Sequence, residues 1–575
     1  MPGFLVGSRK IDVELKNRFP QRCVQESLDL PRQTAKRNTL NKFMGDKVLA
    51  ETPEAIMVLE GYLLNKTALF SRYSVSSAAE LMDRMYRENG DAFFADFRGE
   101  FSGAFYDKAL DKWLVFTNHT GTNPVFYAET GDGFFAGSQV NYLTDSCKRS
   151  GMKLHFDESA AYQMLTYGFM ATNATYAKEI RRLRGGSYFC FQDGKGLVKR
   201  YHTLQKNTAR FETCSEQELI DAVDYAFRAA TKLAFDKDLE YGYGHLADLS
   251  GGLDSRMAMW VPHEMGYGPI QLLTYCKADY TDEKVAKEIA RYWKDPLLIQ
   301  PLDDAAFLYD IDEITFLNGG LSLYSGISGG NRMLRSLNMD NFGLEHTGMH
   351  GDVVIGSRWK NGRDMAQKRQ TGRYSNKLAH RLSQDVLDYI ASFEDYDLFL
   401  DYTRGFQGAA NTYLIRKNYT EASSPFLDVE LMQLCLDIPQ EFRFHHRLYK
   451  KWILAKYPDA AQFKWEKTGA KITESAPVGT IRFVMTRGPK KLLRLLGKEK
   501  WLTHEMVPMA YWMEHDGNLR STLDHYAAEG FAHPPAAMSR QLLSDMQWLY
   551  TSGNANEKAM VLTVLAAAKL YFGNE

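Results

Sequence analysis

The sequence predicts an α+β front half followed by an α/β second half whose later part is largely helical. Three observations carry this. Up to about residue 200, short aromatic or β-branched runs alternate with turn residues, the rhythm of strands. From about Phe211, apolar residues recur instead at helical spacing. Finally, 575 residues of which 45% are hydrophobic and 25% charged supply a large core without the bias of a disordered chain.

Taken in order, Ser102–Tyr106, Trp113–Thr117, Pro124–Tyr127 and Gly133–Gly137 read as strands, separated by Asp111-Lys112, Gly121-Thr122-Asn123 and Gly131-Asp132. Gly185–Phe191 followed by Asp193-Gly194 reads as a further hairpin. Between Glu216 and Phe235, Leu219, Ile220, Val223, Phe227, Ala230 and Leu233 share one helical face. Helical patterns then dominate, broken by short apolar strands such as Gln271–Tyr275. The composition shift near residues 203–215 marks the expected boundary, giving domains 1–205 and 206–575. No repeat or low-complexity segment is evident.

Lys plus Arg number 70 and Asp plus Glu 71, a formal net charge of -1. That balance argues against nucleic acid or an anionic membrane as the main partner. Six cysteines (Cys23, Cys147, Cys190, Cys214, Cys276 and Cys435) form no CxxC pair and are too sparse for a disulfide scaffold. They read as reduced structural thiols. The opening MPGFLVGSRK turns charged too early for a secretory signal. The longest apolar run, Ala559 to Ala568, is too short to span a bilayer and reads as a buried helix. The expectation is a cytoplasmic protein without stable membrane association; a homodimer is left open.

The stretch His245–Met257 is the most informative. An apolar strand end, through Leu249, enters Ser250-Gly251-Gly252, then Asp254-Ser255 and a helix-like run. Glycines let backbone N–H groups turn inward, and a helix N-terminus adds positive potential, which suits phosphate. Ser250 and Ser255 offer hydroxyl donors, and Asp254 offers a cation ligand beside the phosphates. The pattern is neither GxGxxG nor GxxxxGK[ST], which argues against the Rossmann and Walker readings. As bare chemistry, an ordinary strand-to-helix turn rich in small residues stays open.

The segment Ser-Gly-Gly-Leu-Asp-Ser resembles the pyrophosphate loop of asparagine synthetases and their relatives, the PP-loop ATP pyrophosphatases that make acyl-adenylates. Further segments are similar in the family's order: Thr274–Lys277 with Asp282-Glu283, Thr347-Gly348-Met349-His350-Gly351-Asp352 with Gly356, Glu421–Asp428, Lys451–Leu454, and Lys467–Gly469. The resemblance implies ATP held by Leu249, Ser250, Gly251, Gly252, Asp254, Ser255, Thr274, Thr347 and Gly348. It implies Mg²⁺ on Asp254 and Asp352, Lys467 as a catalytic cation and Lys451 as a phosphate-binding one. The chemistry agrees: amide synthesis from a carboxylate needs a better leaving group, and lysines can neutralise the charge that develops.

The front half resembles a class II glutaminase domain, in Phe97–Asp107, Thr117–Tyr127 and Phe134–Gln139. That implies an Ntn-type α-β-β-α sandwich. Its chemistry needs an N-terminal cysteine offering thiolate and amine together, whereas position 2 is Pro2 and the nearest cysteine is Cys23. The family's oxyanion Asn-Gly pair is Glu60-Gly61 here, and a carboxylate would repel an oxyanion. No aspartate stands within Ser77–Glu80, the segment where the family holds the glutamine amine. The front half is therefore expected to be an inactive glutaminase. An active loop beside a lost glutaminase is similar to the β-lactam and carbapenam synthetases and the lasso-peptide cyclases. They imply a small-molecule or peptide carboxylate substrate and an amine whose nitrogen does not come from glutamine. A conventional asparagine synthetase and a non-catalytic nucleotide-binding scaffold stay open.

Met349 stands where the family often has Glu or Tyr and cannot take a proton, so His350 beside it becomes the candidate base. Ser423 replaces the arginine of the family's E-x-R-x-P-F-L-D segment, which points away from aspartate. Arg358, Lys360, Arg363, Lys368, Arg369, Arg373, Lys377 and Arg381 form a basic stretch, read as a cover or as a solvated surface. Arg487–Lys500 reads as a basic, leucine-rich surface helix. His445-His446 lacks a third ligand at metal spacing.

Overall fold

The computed structural model describes residues 2–573 except 18–21, 132, 327–329, 358–371, 475–480, 482–483, 486–487, 494–495, 497–501 and 503–504. Strands β1 (Gly3–Gly7), β2 (Cys23–Ser27), β3 (Thr34–Leu40), β4 (Val48–Glu51), β5 (Ala55–Gly61), β6 (Phe101–Asp107), β7 (Lys112–Thr117), β8 (Phe126–Thr130), β9 (Gly133–Gly137), β10 (Arg181–Arg182), β11 (Ser187–Gln192) and β12 (Lys195–Arg200) make two antiparallel sheets. Their orders are β10-β8-β9-β1-β3-β2 and β12-β11-β7-β6-β5-β4.

Inner strands such as β5 and β7 are buried along their whole length because both faces are covered, whereas the edge strands β2 and β12 are largely polar and exposed. Period-2 alternation then decides which layer each side chain joins. Phe4, Val6, Ile56, Val58, Trp113 and Val115 fill the space between the sheets. Their neighbours Met57, Leu59, Leu114 and Phe116 point outward, under α1 (Lys66–Tyr73) and α2 (Ala78–Asn89). On the other side Leu5, Phe126 and Phe135 meet α3 (Val140–Arg149) and α4 (Glu158–Tyr167). This is the four-layer α-β-β-α arrangement expected from the sequence.

After the front half, α5 (Glu216–Glu240) starts at a capping box in which Ser215 and Glu218 satisfy each other's backbone N–H. Its stripe of Leu219, Ile220, Val223 and Phe227 packs on a second core. A five-stranded parallel sheet follows: β13 (Gly244–Asp248), β14 (Ile270–Cys276), β15 (Leu297–Pro301), β16 (Phe342–His346) and β17 (Ala422–Ser423), in the order β15-β14-β13-β16-β17. The chain leaves β13 toward β14 and β15, then returns to the opposite side for β16. In parallel sheets the crevice at such a reversal, outside the carboxyl ends of the strands, is where ligands bind.

The later part is helical, as expected. Helix Ala555–Phe572 buries residues 559–568 against α4, Ile311–Asn318 and the helices Gly517–Ala532 and Arg540–Ser552. No helix among the described residues is long and apolar enough to cross a membrane. All six cysteines are free.

The basic stretch divides. Arg358, Lys360, Arg363, Lys368 and Arg369 lie outside the described residues. Lys377 pairs with Glu557 at 2.9 Å and Arg381 with Asp545 at 3.0 Å, so this end docks on the C-terminal helices. Of the leucine-rich segment, Arg487, Arg494, Lys498 and Lys500 lie outside the described residues, and Leu492 and Leu496 are exposed.

Candidate active site

The loop after β13 is built by its own side chains. The Ser250 N–H donates to Ser255 Oγ at 3.0 Å, the two hydroxyls meet at 2.9 Å, and the Gly252 N–H donates to Ser250 Oγ at 3.2 Å. The turn delivers the chain into α6 (Leu253–Glu264), with Gly252 at its N-cap. Thr274, on β14, donates its hydroxyl to the Leu249 carbonyl at 2.6 Å. The Gly251 N–H is held by the Asp282 carboxylate at 2.8 Å, at the start of α7 (Thr281–Trp293). That bond takes up the Gly251 donor and ties the loop to the start of α7. Burial pushes Asp282 up to about 6, against that hydrogen bond.

The loop after β16 lies directly against it. The Asp352 N–H donates to Asp254 Oδ2 at 3.1 Å. A Cβ on Gly348 would fall 2.2 Å from the Ser255 nitrogen, and one on Gly351 would fall 2.7 Å from Asp254 Cγ. Only hydrogen fits there, so the glycines set how closely the two carboxylates approach. Burial first, and then the Asp352 charge, raise the pKa of Asp254 well above the usual carboxylate range. The buried Tyr449 hydroxyl faces the same carboxyl. Two part-buried acids facing each other suit a cation, and oxygen ligands of this kind suit Mg²⁺.

A third segment closes the site. Arg256, fully buried in α6, donates to the carbonyls of Ala460 at 3.0 Å, Phe463 at 3.2 Å and Lys464 at 2.5 Å. The Glu466 N–H donates to the Gly251 carbonyl at 3.0 Å. These bonds hold Lys467 beside the loops: its Nζ is 3.0 Å from His446 Nε2, and its charge acts on Asp254. The structure thus brings together Ser250, Gly251, Gly252, Asp254, Ser255, Thr274, Thr347, Gly348, Asp352 and Lys467.

Two expected residues point elsewhere. Lys451 lies on helix Arg447–Lys456 with its ammonium paired to Glu216, at the start of α5. His350 has its Nε2 against Asp401 Oδ1 at 2.7 Å, and its side chain is 5% exposed beneath Gly405. Sequence reading missed Arg256 and Tyr449, and it placed Asp282 in a motif without giving it a role. Arg256 directly follows the serine motif, but nothing in a sequence signals that its guanidinium collects carbonyls two hundred residues away.

Residues 48–202 match the family model of a glutamine amidotransferase domain. Over 210 residues the chain is 24% identical to asparagine synthetase B [glutamine-hydrolyzing] of Escherichia coli (strain K12), covering 35% of this chain and 31% of that one. The front domain is thus of amidotransferase type, and about a third of the chain is similar to an asparagine synthetase. The chain spans about a third of that relative's length. Solved structures with slighter likeness include the glutamine phosphoribosylpyrophosphate amidotransferase from B. subtilis complexed with ADP and GMP, at 11% identity and a TM-score of 0.24. That match covers 52% of this chain and 65% of that one. Another is the allosteric regulatory enzyme of purine biosynthesis, at 10% identity and a TM-score of 0.22, covering 52% and 59%.

The residues expected at the amidotransferase-type centre have surroundings of their own. Glu60 is buried, with Oε2 accepting from Thr39 Oγ1 at 2.8 Å and Oε1 facing Arg37 at 3.4 Å; Lys47 lies 3.9 Å away. The Pro2 carbonyl accepts from Gln139 Nε2 at 3.1 Å. Burial raises the Cys23 thiol, the opposite of what a nucleophile needs.

A cluster with metal-ligand chemistry lies deeper, at Asp238, His245 and His346. Asp238 Oδ2 meets His245 Nδ1 and His346 Nε2, each at 2.8 Å, and Oδ1 accepts the Leu344 N–H at 2.7 Å. Each ligand atom is already engaged in a hydrogen bond, so the cluster ties α5 to β13 and β16.

Proposed function

We propose that the protein is an ATP-dependent carbon–nitrogen ligase that adenylates a carboxylate and joins it to an amine from a source other than glutamine. The observation that carries this is the meeting of Asp254 and Asp352 across two glycine-bearing loops at the sheet's reversal, with Lys467 stapled beside them. A PP-loop synthetase fold for residues 206–575 and an inactive Ntn-type domain for 1–205 belong to this reading.

The donor set fits the groups it would hold. Asp254 and Asp352 would hold Mg²⁺, which neutralises charge on the departing pyrophosphate when bound. The α6 N-terminus and the hydroxyls of Ser250 and Ser255 would grip phosphate oxygens. Thr347 and Gly348 would line the other wall, with Leu249 and Thr274 toward the nucleoside. Lys467 offers positive charge where the leaving group or a tetrahedral oxyanion develops. Lys451 would serve phosphate only after leaving Glu216, so it takes the lesser part.

One feature supports an amine from outside the front half: the family likeness sets Glu60, a carboxylate with Arg37 and Lys47 around it, where an oxyanion donor would stand. The likeness to asparagine synthetase B favours a second reading, aspartate amidation with ammonia.

AMP and asparagine formation from Mg-ATP and aspartate, with ammonium or glutamine as nitrogen source, tests both. AMP without asparagine, on another carboxylate, is the result the first reading expects. Asparagine from ammonium alone would establish the second. Glutamate release coupled to product would defeat the first, and Mg-ATP binding without AMP on any carboxylate would leave the scaffold reading.

A further inference from the structure

Met349 leaves the attacking amine without a proton acceptor, and His350 is turned into Asp401. Behind Met349 lies a cavity of about 20 Å³ on the seam, lined by Glu100 and Thr122 of the front half and by Thr347, Lys417 and Ser424 of the second. That volume holds one water-sized molecule. A second cavity, about 30 Å³, shares Glu100 and Ser424 and extends toward Arg98 and Asp428.

Glu100 is held in place at one oxygen. Its Oε2 accepts from Thr122 Oγ1 at 2.5 Å and from Asn118 Nδ2 at 3.1 Å, whereas Oε1 accepts no hydrogen bond among the described residues. The charges facing it are Lys417 and Glu421. Lys417 donates to Asn123 Oδ1 at 2.7 Å and lies 3.6 Å from Glu421 Oε2. The seam therefore sets one ammonium against two carboxylates, an excess of negative charge next to the Thr347–Asp352 loop.

We infer that Glu100, contributed by the front half, is the catalytic base that takes the amine's proton in the second half's ligase reaction. The inference rests on the ligase reading above. When the amine nitrogen bonds to the acyl-adenylate carbon, the adduct carries an N–H⁺. The Glu100 carboxylate takes that proton, directly or through the one molecule the cavity holds. The carbon–oxygen bond to AMP then breaks, AMP leaves with the electron pair, and a neutral amide remains. Burial brings Glu100 up to about 7, where a base is half ready at neutral pH. A front half without glutaminase chemistry thus keeps a chemical task.

The test separates nucleophiles that need a base from one that does not. Full-length wild type, Glu100→Gln and Glu100→Asp are assayed for AMP release with Mg-ATP and a panel of amino-acid and peptide carboxylates. Hydroxylamine, a weakly basic amine whose N–H⁺ adduct loses its proton readily to water, is compared with methylamine, whose more basic adduct holds its proton. Glu100→Gln should keep hydroxamate formation and lose methylamide formation by about 10²-fold, and Glu100→Asp should recover part of it. Equal loss with both nucleophiles, or no loss with methylamine, overturns the inference while the ligase reading stands. No AMP from the wild type on the whole panel removes that reading and this inference together. Should Glu100→Gln fail to fold, Thr122→Val, which frees Glu100 from its hydroxyl, should show the same split in smaller measure. An unchanged split there overturns the inference.

Discussion

The Asp352 N–H donates to Asp254 Oδ2 at 3.1 Å, so the backbone of one acidic loop is fixed by the side chain of the other. The bond orients Asp254, yet burial and the facing Asp352 charge still keep its carboxyl protonated to well above the usual range. Such a site is destabilised when empty and relieved by a cation. Replacing Asp254 by Asn removes the repulsion. The variant should gain about 1–2 kcal/mol in the absence of Mg-ATP. It should also lose the thermal shift that Mg-ATP gives the wild type, and AMP formation with it. Denaturant melts with and without Mg-ATP check this; an Asn variant still stabilised by Mg-ATP would remove Asp254 from the site.

Gly348 tests the docking of the loops separately from their charge. A methyl group there would press on the Ser255 nitrogen at 2.2 Å, a backbone atom that cannot swing away. Gly348→Ala should cost about 1–3 kcal/mol and weaken Mg-ATP binding by at least about tenfold, read by calorimetry. An unchanged affinity would mean the two loops move apart when nucleotide binds.

Much of this site was legible in the sequence because its groups are carried by short motifs. Ser250–Ser255 and Thr347–Asp352 each place backbone and side chain within one turn, so local pattern sufficed. The four-layer front half was legible through the glutaminase-like segments Phe97–Asp107, Thr117–Tyr127 and Phe134–Gln139, whereas Ile56, Met57, Val58 and Leu59 are all apolar and do not tell which layer each side chain joins. What could not be read was pairing across distance. Lys451 fits its motif, yet its ammonium meets Glu216, a partner 235 positions earlier. His350 looked like a free base, but Asp401 and the close approach of Gly405 enclose its ring. Glu100 carried no signal at all, because its meaning comes from a cavity shared with Met349.

If the front half is the inactive glutaminase proposed above, a nucleophile alone will not restore that chemistry. Pro2→Cys, even with its initiator Met removed, should release no glutamate from glutamine, because Glu60 stands where the family likeness sets the oxyanion donor. Glu60→Ala should instead strand Arg37 and Lys47 in a buried setting and destabilise the protein by about 3–5 kcal/mol. Glutamate assays and urea melts of the two variants provide the check. Glutamate release by Pro2→Cys would show that Glu60 does not control the centre.

Glu100 gives a pH dependence with a definite sign. Its carboxyl is raised from 4.5 to about 7, chiefly by burial. A folded-state pKa above the unfolded value means that the native state binds the extra proton. Its contribution is full below about pH 4.5, falls as pH rises toward 7, and is gone above that. Across that window the wild type should lose on the order of 2–3 kcal/mol relative to Glu100→Gln, which has no proton to lose. Urea melts of both proteins at pH 5 and pH 8 isolate this group, since every other titration is common to the pair. The difference in stability should favour Glu100→Gln more at pH 8 than at pH 5. Parallel pH curves would show that Glu100 keeps an ordinary carboxylate pKa, and the cavity behind Met349 would then be open to water.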